Sequence, residues 1–377
     1  TATTEIYTLS YTTLFRSASK FNWVLFIAIL AVSIIGVICI NSANHGRTES
    51  FFRDLYIKQV YWILLGLGAM LIALAIDCRE LSRHAYTIYG ITVLALIYVV
   101  GAGDSASGAK RWIHIGSFSL QISEFAKIAL ILALAKYFES GKIQGQYSFR
   151  DLWIPALLTG IIAMLIAVQP DLGTAIMVFL VFLVFITAIE IHGAFLTKLF
   201  GTGVFLIPLL WFFLRDYQKR RVMTLFNPEI DPLGAGYHSI QSKIAIGSGG
   251  FWGKGLFMGT QSRLNFLPEK HTDFIFSVLA EETGFIGVII LLSLYLFIIL
   301  KGLSIAFHAR DRFSLFLALG IVSSISFYVL FNIGMTVGLF PITGLPLPLV
   351  SYGGSSLVTN FFALGLLLNI GMRRTML

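Results

Sequence analysis

The stretch Asp273-Phe-Ile-Phe-Ser-Val-Leu-Ala-Glu-Glu-Thr-Gly-Phe-Ile-Gly-Val-Ile-Ile-Leu-Leu-Ser-Leu-Tyr-Leu-Phe-Ile-Ile-Leu300 decides the fold class of this chain. Its charged residues are Asp273, Glu281 and Glu282, and apolar residues fill most of the rest. A helix needs about 20 predominantly apolar residues to cross the hydrocarbon core of a bilayer. The stretch therefore predicts a membrane-spanning helix with an aspartate at its start, and that carboxylate either caps the helix or does chemistry.

The composition of the whole chain agrees with a membrane protein. Of its 377 residues, 57% are hydrophobic and 12% are charged, and the mean hydropathy is +0.84. A soluble domain carries about 25% charged residues, so an ordinary soluble fold is excluded. The net charge of +8 is spread between the apolar runs rather than gathered in one patch. This spacing favours contact with membrane lipid and predicts no binding of nucleic acid.

Apolar runs recur along the sequence and predict an all-α, polytopic membrane fold with about ten transmembrane helices. We treat residues 1–19 as an unreliable polar tail and residues 20–377 as one domain. The first run has no small-residue cleavage site after it, so we expect a retained span rather than a signal peptide. The predicted spans are Trp23–Ile40, Gln59–Ile76, Ala85–Gly101, Phe125–Phe138, Leu152–Val168, Leu172–Ile189, Ala194–Leu214, Asp273–Leu300, Phe313–Phe340 and Tyr352–Met372.

The basic residues of the short loops predict the orientation of these spans. With the N-terminus inside, the cytoplasmic side carries thirteen Lys and Arg residues and the short outer loops carry five. We therefore expect both termini in the cytoplasm and the region 215–272 as a large extracytoplasmic loop between spans seven and eight. A connection of this length is typical of a functional element.

The two cysteines, Cys39 and Cys78, fall at the ends of two successive apolar runs. Antiparallel spans would place them on opposite sides of the bilayer, so we expect no disulfide between them. No spacing of Cys, His or carboxylate residues is typical of a metal site.

Polar residues beside membrane helices are costly to bury, so each cluster of them is a candidate site. On the expected outer side, Arg111 precedes Trp112, an arrangement suited to an anionic head group with an apolar or sugar face. Ser123 is expected to cap the fourth helix, which leaves Glu124 and Lys127 one turn apart on one face. An interfacial Trp with an ion pair at a helix end explains these residues equally well.

Two aspartates are predicted at helix starts. Pro170 breaks the chain after Gln169 and places Asp171 at the start of span six, where helix capping explains it more simply than chemistry. Thr272 is expected to be an N-cap, with Asp273 in the first turn of span eight. There the helix dipole lowers the pKa of an aspartate and partial burial raises it, whereas a general base needs a pKa nearer to neutrality.

Other polar segments are open to more than one interpretation. His271 stands two residues before Asp273, where it could tune or relay a proton. Glycines beside basic residues in the long loop, including Gln241–Gly250, suit a backbone that approaches a phosphate, but such a composition is more often that of a solvated surface. Neither a P-loop nor a Rossmann setting is present, which argues against ATP chemistry. Glu281 and Glu282 are interpreted as a buried network or helix-packing residues, unless they serve ion movement.

The connection after the ninth span, Pro341–Ser356, contains no charge and has three prolines and three glycines. Such a segment is non-helical, and non-helical backbone at membrane depth must be buried in protein or line a cavity. We expect it to form one wall of the site.

Several motifs occur together in one order: Gln169-Pro-Asp-Leu-Gly-Thr174, Asp231-Pro-Leu-Gly-Ala-Gly-Tyr237, Gln241-Ser-Lys-Ile-Ala-Ile-Gly-Ser-Gly-Gly250, Gly259-Thr-Gln-Ser262, Leu267-Pro-Glu-Lys-His-Thr-Asp-Phe-Ile-Phe276 and Leu347-Pro-Leu-Val-Ser-Tyr-Gly-Gly-Ser355. Across about residues 20–375 the chain resembles the SEDS family. It is more similar to RodA, the elongation branch, than to FtsW, the cell-division branch. Ile122 is a departure, since the family commonly has proline there.

The resemblance implies a ten-helix glycosyltransferase of the bacterial inner membrane that polymerises lipid II, a disaccharide-peptide on undecaprenyl pyrophosphate. The implied partners are a class B penicillin-binding protein, which cross-links the strands, and other membrane proteins of the elongation complex. The family's essential aspartate corresponds to Asp273. The predicted substrate-binding residues are Arg111, Trp112, Glu124, Lys127, Gln169, Asp171, Arg221, Ser242, Lys243, His271 and Ser351.

In the implied reaction, the acceptor 4-hydroxyl attacks the anomeric carbon of the donor and polyprenyl pyrophosphate leaves with inversion. Asp273 is the expected general base. Cations, namely Arg111, Lys127, Arg221 and Lys243, are expected to stabilise the pyrophosphate. A divalent cation could assist, although no ligand set requires one. Two alternatives remain from the sequence: a lipid II flippase, and a non-catalytic scaffold for the transpeptidase.

Overall fold

The structure is a computed structural model in which helices predominate. It describes residues 21–45, 54–106, 109–115, 118–140, 149–189, 201, 211–212, 215–232, 234–264, 266–267 and 269–373. The expected tail 1–19 and almost all of the expected seventh span, Ala194–Leu214, lie outside these ranges.

The described residues form α-helices, three short β-strands and one 3-10 turn. In order they are α1 (Trp23–Asn44), α2 (Leu55–Ala75), α3 (Cys78–Ala102), β1 (Asp104–Ala106), β2 (Ala109–Ile115), β3 (Phe118–Gln121), α4 (Ile122–Glu139), α5 (Phe149–Val168), α6 (Leu172–Thr187), α7 (Asp216–Phe226), a 3-10 turn (Pro228–Ile230), α8 (Ala235–Gly249), α9 (Thr260–Arg263), α10 (Ile275–Phe307), α11 (Arg312–Val337) and α12 (Gly354–Arg373).

Over the described ranges, seven helices are long and apolar enough to cross a membrane, namely α1, α2, α3, α5, α10, α11 and α12. Helix α6 is apolar but has only 16 residues. Helix α4 has 18 residues and carries charged side chains near both ends. The fold is therefore helical and polytopic, with seven clear spans where the sequence predicts about ten.

Helix α4 lies at the centre of the bundle. Every residue from Ala126 to Ala135 is buried, and the helix packs against α3, α5, α6 and α11. Near its C-terminal end, the rings of Phe138, Phe185 and Phe316 have centroids 5.4 to 6.0 Å apart. Aromatic pairs contribute about 0.5–1.5 kcal/mol beyond the area they bury. These contacts fix the C-terminal end of α4 against the helices that carry Phe185 and Phe316.

The three-stranded antiparallel sheet β1-β2-β3 is absent from the predicted all-α fold. Trp112 stands opposite Asp104 on one side and Gln121 on the other. Each strand has seven residues or fewer, and alternation over so short a run is a weak signal beside long apolar helices. The sheet leads directly into α4 and brings Arg111 beside the start of α6.

The region 215–272 is not an extended loop. It contains α7, the 3-10 turn, α8 and α9, and α8 packs on α10 and α11. The buried Ser242 hydroxyl lies 2.7 Å from Ser277 Oγ and donates to the Thr336 carbonyl, also at 2.7 Å. Its contacts therefore join three helices, and the glycine-rich motif belongs to a packed helix rather than to a solvated loop.

Helix α10 is kinked at Gly284, where φ is +63°, a left-handed value that suits glycine. The chain around Gly250 packs into the kink, and the Phe285 amide donates to the Gly250 carbonyl at 3.0 Å. Beside the kink, Glu282 Oε1 accepts a hydrogen bond from Ser42 of α1 at 2.5 Å. Glu282 thus joins α1 to α10, in agreement with its interpretation as a buried network residue.

Glu281 connects the same kink to the segment that leads into α9. Its fully buried Oε1 accepts from Lys254 Nζ at 2.8 Å and from the amides of Thr260 and Gln261 at 2.8 and 3.0 Å. If the carboxylate is removed, the amides of Thr260 and Gln261 lose this acceptor, while Lys254 keeps its contact with Thr260 Oγ1 at 2.7 Å. Glu281 is therefore a structural anchor of the 250–264 segment.

We expect Glu281→Ala to lower the free energy of unfolding by about 3 kcal/mol, because it removes a buried carboxylate that accepts from two backbone amides and pairs with Lys254. Thermal unfolding in detergent measures the change. Glu80→Ala is the matched control, since it removes a surface pair with Arg83 that is 3.0 Å long and largely exposed, worth about 0–1 kcal/mol. Equal losses in the two variants would contradict the anchoring role.

Candidate active site

Asp273 lies in a turn just before α10 and not in its first helical turn. The amides of Thr272, Asp273 and Phe274 all donate to the Glu269 carbonyl, at 3.2, 3.1 and 3.3 Å. The Thr272 hydroxyl also bonds that carbonyl, at 3.2 Å. Thr272 is therefore not the N-cap that the sequence predicts, because its hydroxyl points back into the turn and the helix begins only at Ile275.

The backbone of this turn is held by the segment that joins α11 to α12. The buried Asn332 amide donates to the carbonyls of Asp273 (3.1 Å) and Leu345 (2.7 Å). Ser351 Oγ donates to the Thr272 carbonyl at 2.5 Å, and the Tyr352 amide donates to the His271 carbonyl at 2.9 Å. Each of these bonds ends on a backbone carbonyl, so this support of the turn does not depend on the Asp273 side chain.

Asn332 is the residue that sequence reasoning missed. It lies inside the predicted ninth span, where a fully buried amide is costly unless it has hydrogen-bond partners. The available signal was a side-chain amide within an apolar span, where the other polar residues are hydroxyl groups. Its partners lie 59 and 13 residues away in sequence, and no local pattern reveals such contacts.

The Asp273 side chain is half-buried and faces Gly344. A Cβ placed on Gly344 would lie 3.4 Å from Asp273 Oδ2, and the φ of +72° at this glycine disfavours any larger residue. On the neighbouring backbone, the exposed Arg221 guanidinium donates to the Ile342 carbonyl at 3.1 Å. The segment 341–352 thus lies beside Asp273, where the sequence predicts a wall, and it also contacts Arg221.

The environment of Asp273 suits a general base. Burial, with a smaller contribution from the negative charge of Glu269, raises the pKa of Asp273 to about 6. A hydrogen bond from Thr272 and the charge of Arg221 oppose this rise. A carboxyl with a pKa near 6 is ionised at neutral pH yet more basic than an ordinary aspartate, as proton abstraction requires.

A second polar cluster surrounds the start of α6. Arg111 donates from Nε to the Gln169 carbonyl at 2.8 Å and also hydrogen-bonds the Pro170 carbonyl. Asp171 caps α6, as predicted, accepting from the Thr174 amide at 3.3 Å. Burial raises the pKa of Asp171, and the charge of Arg111 opposes that rise. Arg111 thus fixes the turn between α5 and α6 beside a buried carboxylate.

Glu124 and Lys127 form the predicted ion pair on α4, with Lys127 Nζ 2.8 Å from Glu124 Oε2 and both side chains buried. Lys127 Nζ also lies 3.8 Å from the centre of the Tyr328 ring of α11, a cation–π contact. The predicted cap by Ser123 is wrong: α4 begins at Ile122, and the buried Ser123 hydroxyl has no hydrogen-bond partner among the described residues.

The two clusters share the wall segment. A Cβ placed on Gly173, in the first turn of α6, would lie 3.0 Å from the Thr343 carbonyl. Thr343 is next to Gly344, which faces Asp273, and the charge of Asp171 is among those that raise the pKa of Asp273. Asp273, Asp171 and Arg111 therefore occupy one end of the bundle.

The remaining predicted substrate residues differ in their exposure and in their contacts within the protein. The Ser242 and Ser351 hydroxyls are engaged in protein hydrogen bonds. Lys243 is exposed and packs over Gly338. The half-buried His271 ring lies 6.0 Å from the Tyr352 ring. Their contacts with substrate, and those of Trp112 and Gln169, stay predictions.

Two further expectations concern cysteines and metals. Cys39 and Cys78 are both buried free thiols, which agrees with the expected lack of a disulfide. Among the residues that the structure describes, no group of three or more His, Cys, Asp or Glu side chains could hold a metal ion.

Comparison with known proteins gives consistent relationships. Residues 22–376 match the FtsW/RodA/SpoVE family, described as cell cycle proteins. The peptidoglycan glycosyltransferase MrdB of Escherichia coli K12, a RodA-type protein, is 44% identical over 327 residues, which cover 85% of this chain and 86% of MrdB. A probable peptidoglycan glycosyltransferase FtsW of Geobacter metallireducens is 36% identical over 365 residues, covering 95% and 96%.

A solved structure shares the fold. It comes from work on the structural coordination of polymerization and crosslinking by a peptidoglycan synthase complex, and it matches with a TM-score of 0.80 and 31% identity. The match covers 94% of this chain and 99% of that one.

Proposed function

Because this chain belongs to the FtsW/RodA/SpoVE family of multi-pass membrane proteins, known also as the SEDS family, we propose that it is a peptidoglycan glycosyltransferase that polymerises lipid II during cell elongation. The names of its relatives support the activity. The 44% identity to MrdB, a RodA-type protein, supports the elongation role.

Asp273 is the proposed general base. The observation that carries this proposal is a half-buried carboxyl with a pKa of about 6 on a turn that buried hydrogen bonds hold in place. The base takes the proton of the acceptor 4-hydroxyl as that oxygen attacks the anomeric carbon. The bond to undecaprenyl pyrophosphate breaks, and the pyrophosphate leaves with the bonding electrons.

The positive charges divide into two groups. Arg111 and Lys127 are engaged with internal partners: Arg111 donates to the carbonyls of Gln169 and Pro170, and Lys127 pairs with Glu124. Arg221 and Lys243 are exposed: Arg221 donates to the Ile342 carbonyl of the wall, and Lys243 packs over Gly338. We assign Arg221 and Lys243 to the pyrophosphate, where fixed cations stabilise the charge that develops on the leaving group.

The proposed cellular setting follows from the same relationships. The protein lies in the bacterial inner membrane with both termini in the cytoplasm and Asp273 on the outer side, as the distribution of basic residues favours. Its proposed partners are a class B penicillin-binding protein and other membrane proteins of the elongation complex. A structural relative from a complex that combines polymerisation and crosslinking supports the transpeptidase partner.

The activity is tested with purified protein in detergent, supplied with lipid II and with the partner transpeptidase. Polymer of increasing length on a gel is the expected product. If no polymer forms but fluorescent lipid II crosses the bilayer of proteoliposomes, the protein is a flippase; if neither occurs, it is a scaffold. The flippase alternative is weakened by Glu281 and Glu282, since the contacts of both serve packing around the α10 kink.

The pH dependence of the rate gives a separate prediction. Since the ionised form of Asp273 is the active one, the rate should rise with pH through about 6 and level off above it. Glu269→Gln removes a charge that raises the pKa of Asp273, so the rising limb should move to lower pH. Arg221→Gln removes a charge that lowers this pKa and should move the limb to higher pH. Unmoved profiles in both variants would count against Asp273 as the titrating group.

A further inference from the structure

A polar cavity of about 440 Å³ lies at the end of the bundle away from Asp273. Helices α4 and α12 begin near the site cluster and end here, at Glu139 and Arg373, while α3 and α11 begin here. The lining comprises Asp77, Cys78, Arg79, Ser82, Glu139, Arg310, Asp311, Phe313, Ser314, Ile370 and Arg373. Sites for small ligands have volumes of about 300–1,000 Å³, so the cavity is large enough to hold one.

The carboxylates of the lining already have partners. Asp77 pairs with Arg373 at 2.9 Å. Glu139 pairs with Lys136 at 2.7 Å and accepts from Ser82 Oγ at 2.7 Å. Asp311 caps α11 through its contacts with Ser314. Asp77 and Glu139 are thus neutralised by cations, whereas Asp311 keeps its negative charge next to Arg310.

Two cations of the lining are uncommitted. The guanidinium groups of Arg79 and Arg310 are exposed, and neither has an ion pair or a side-chain hydrogen bond to any residue in the described ranges. They stand close to the N-termini of α3 and α11, whose dipoles add positive potential. Although the lining holds three arginines and three acidic residues, the pairing leaves an excess of positive charge that faces the cavity.

We propose that this cavity binds a phosphate-bearing anion between Arg79 and Arg310. An arginine fork matches the oxygens of a phosphate in a bidentate way, and the cavity leaves room for the group to which that phosphate is attached. Two sources carry this chemistry: the head group of an anionic phospholipid, and a soluble phosphate ester or free phosphate. The site is separate from the proposed glycosyl transfer and does not depend on it.

The test uses the full-length protein in detergent and two probes, short-chain phosphatidylglycerol and inorganic phosphate, with binding followed by thermophoresis. We expect the double variant Arg79→Gln/Arg310→Gln to weaken binding by about tenfold or more, because it removes both charge-assisted contacts. Arg83→Gln is the matched control, because Arg83 lies at the same end and pairs with Glu80 outside the cavity. It should change the dissociation constant less than about twofold.

The two probes separate the sources. Binding of phosphatidylglycerol alone identifies a lipid head group, and binding of inorganic phosphate as well identifies a site open to soluble phosphates. The proposal is overturned if neither probe binds the wild-type protein, or if the double variant binds as tightly as Arg83→Gln. Both arginines are exposed and lack internal partners, so the variants should fold, and unchanged thermal unfolding verifies this.

Discussion

Replacing Asp273 with asparagine should lower the rate of lipid II polymerisation by about 10²–10⁴-fold, the usual contribution of a general base. Asparagine keeps the size of the side chain and removes only its capacity to take a proton. The turn should keep its shape, since its supporting bonds come from Asn332, Ser351 and Tyr352 and end on backbone carbonyls. Rates of polymer formation at saturating lipid II measure the loss.

The control for this experiment is Asp216→Asn, which changes an exposed aspartate in α7 of the same region. It should polymerise at the wild-type rate. If Asp273→Asn also polymerised at that rate while unfolding at the wild-type temperature, Asp273 would not be the base. Asp171 would then be the carboxyl to examine, because it is buried at the same end of the bundle.

Replacing Lys127 with methionine should destabilise the protein by about 3–5 kcal/mol, because it leaves the charge of Glu124 buried without a partner. Methionine retains most of the length of the side chain, so the loss reports charge rather than volume. The double variant Glu124→Gln/Lys127→Met should recover most of the stability, since it removes both charges together. The coupling free energy between Glu124 and Lys127 is measured by thermal unfolding in detergent. The cycle compares the wild type, both single variants and the double variant.

A double variant as unstable as the sum of the two single variants would show that Glu124 and Lys127 do not act as a unit. The comparison pair is Lys136 and Glu139 at the other end of α4, which is 2.7 Å long but about one-third exposed. Removing Lys136 should cost less, since water screens the carboxylate that remains. The difference between the stability lost on removing Lys127 and that lost on removing Lys136 measures the effect of burial.

The parts of the fold that could be predicted were those with a long or local signal. The apolar run from Asp273 to Leu300 identified the body of α10, although the helix itself extends from Ile275 to Phe307. The spacing of Glu124 and Lys127 identified an ion pair within one turn, and the prolines of the last connection identified a non-helical segment. In each case the residues that decide the structure are near neighbours in sequence.

The parts that could not be predicted depend on contacts between distant segments. The start of α10 was misplaced by two residues because the 269–274 turn bonds to itself and to Ser351, 79 residues beyond Thr272. The sheet before α4 was missed because its strands are short. The packed helices of the region 215–272 were missed because their polar and glycine-rich composition resembles that of a loop.

The turn that carries Asp273 is held in place by hydrogen bonds to its backbone carbonyls. Asn332, Ser351 and the Tyr352 amide hold carbonyl groups of residues 271–273, so these three supports do not depend on the Asp273 side chain. A substitution of Asp273 can therefore change reactivity while these supporting hydrogen bonds stay in place. A loss of activity in an Asp273 variant would then report on the missing carboxylate rather than on a change in the backbone that carries it.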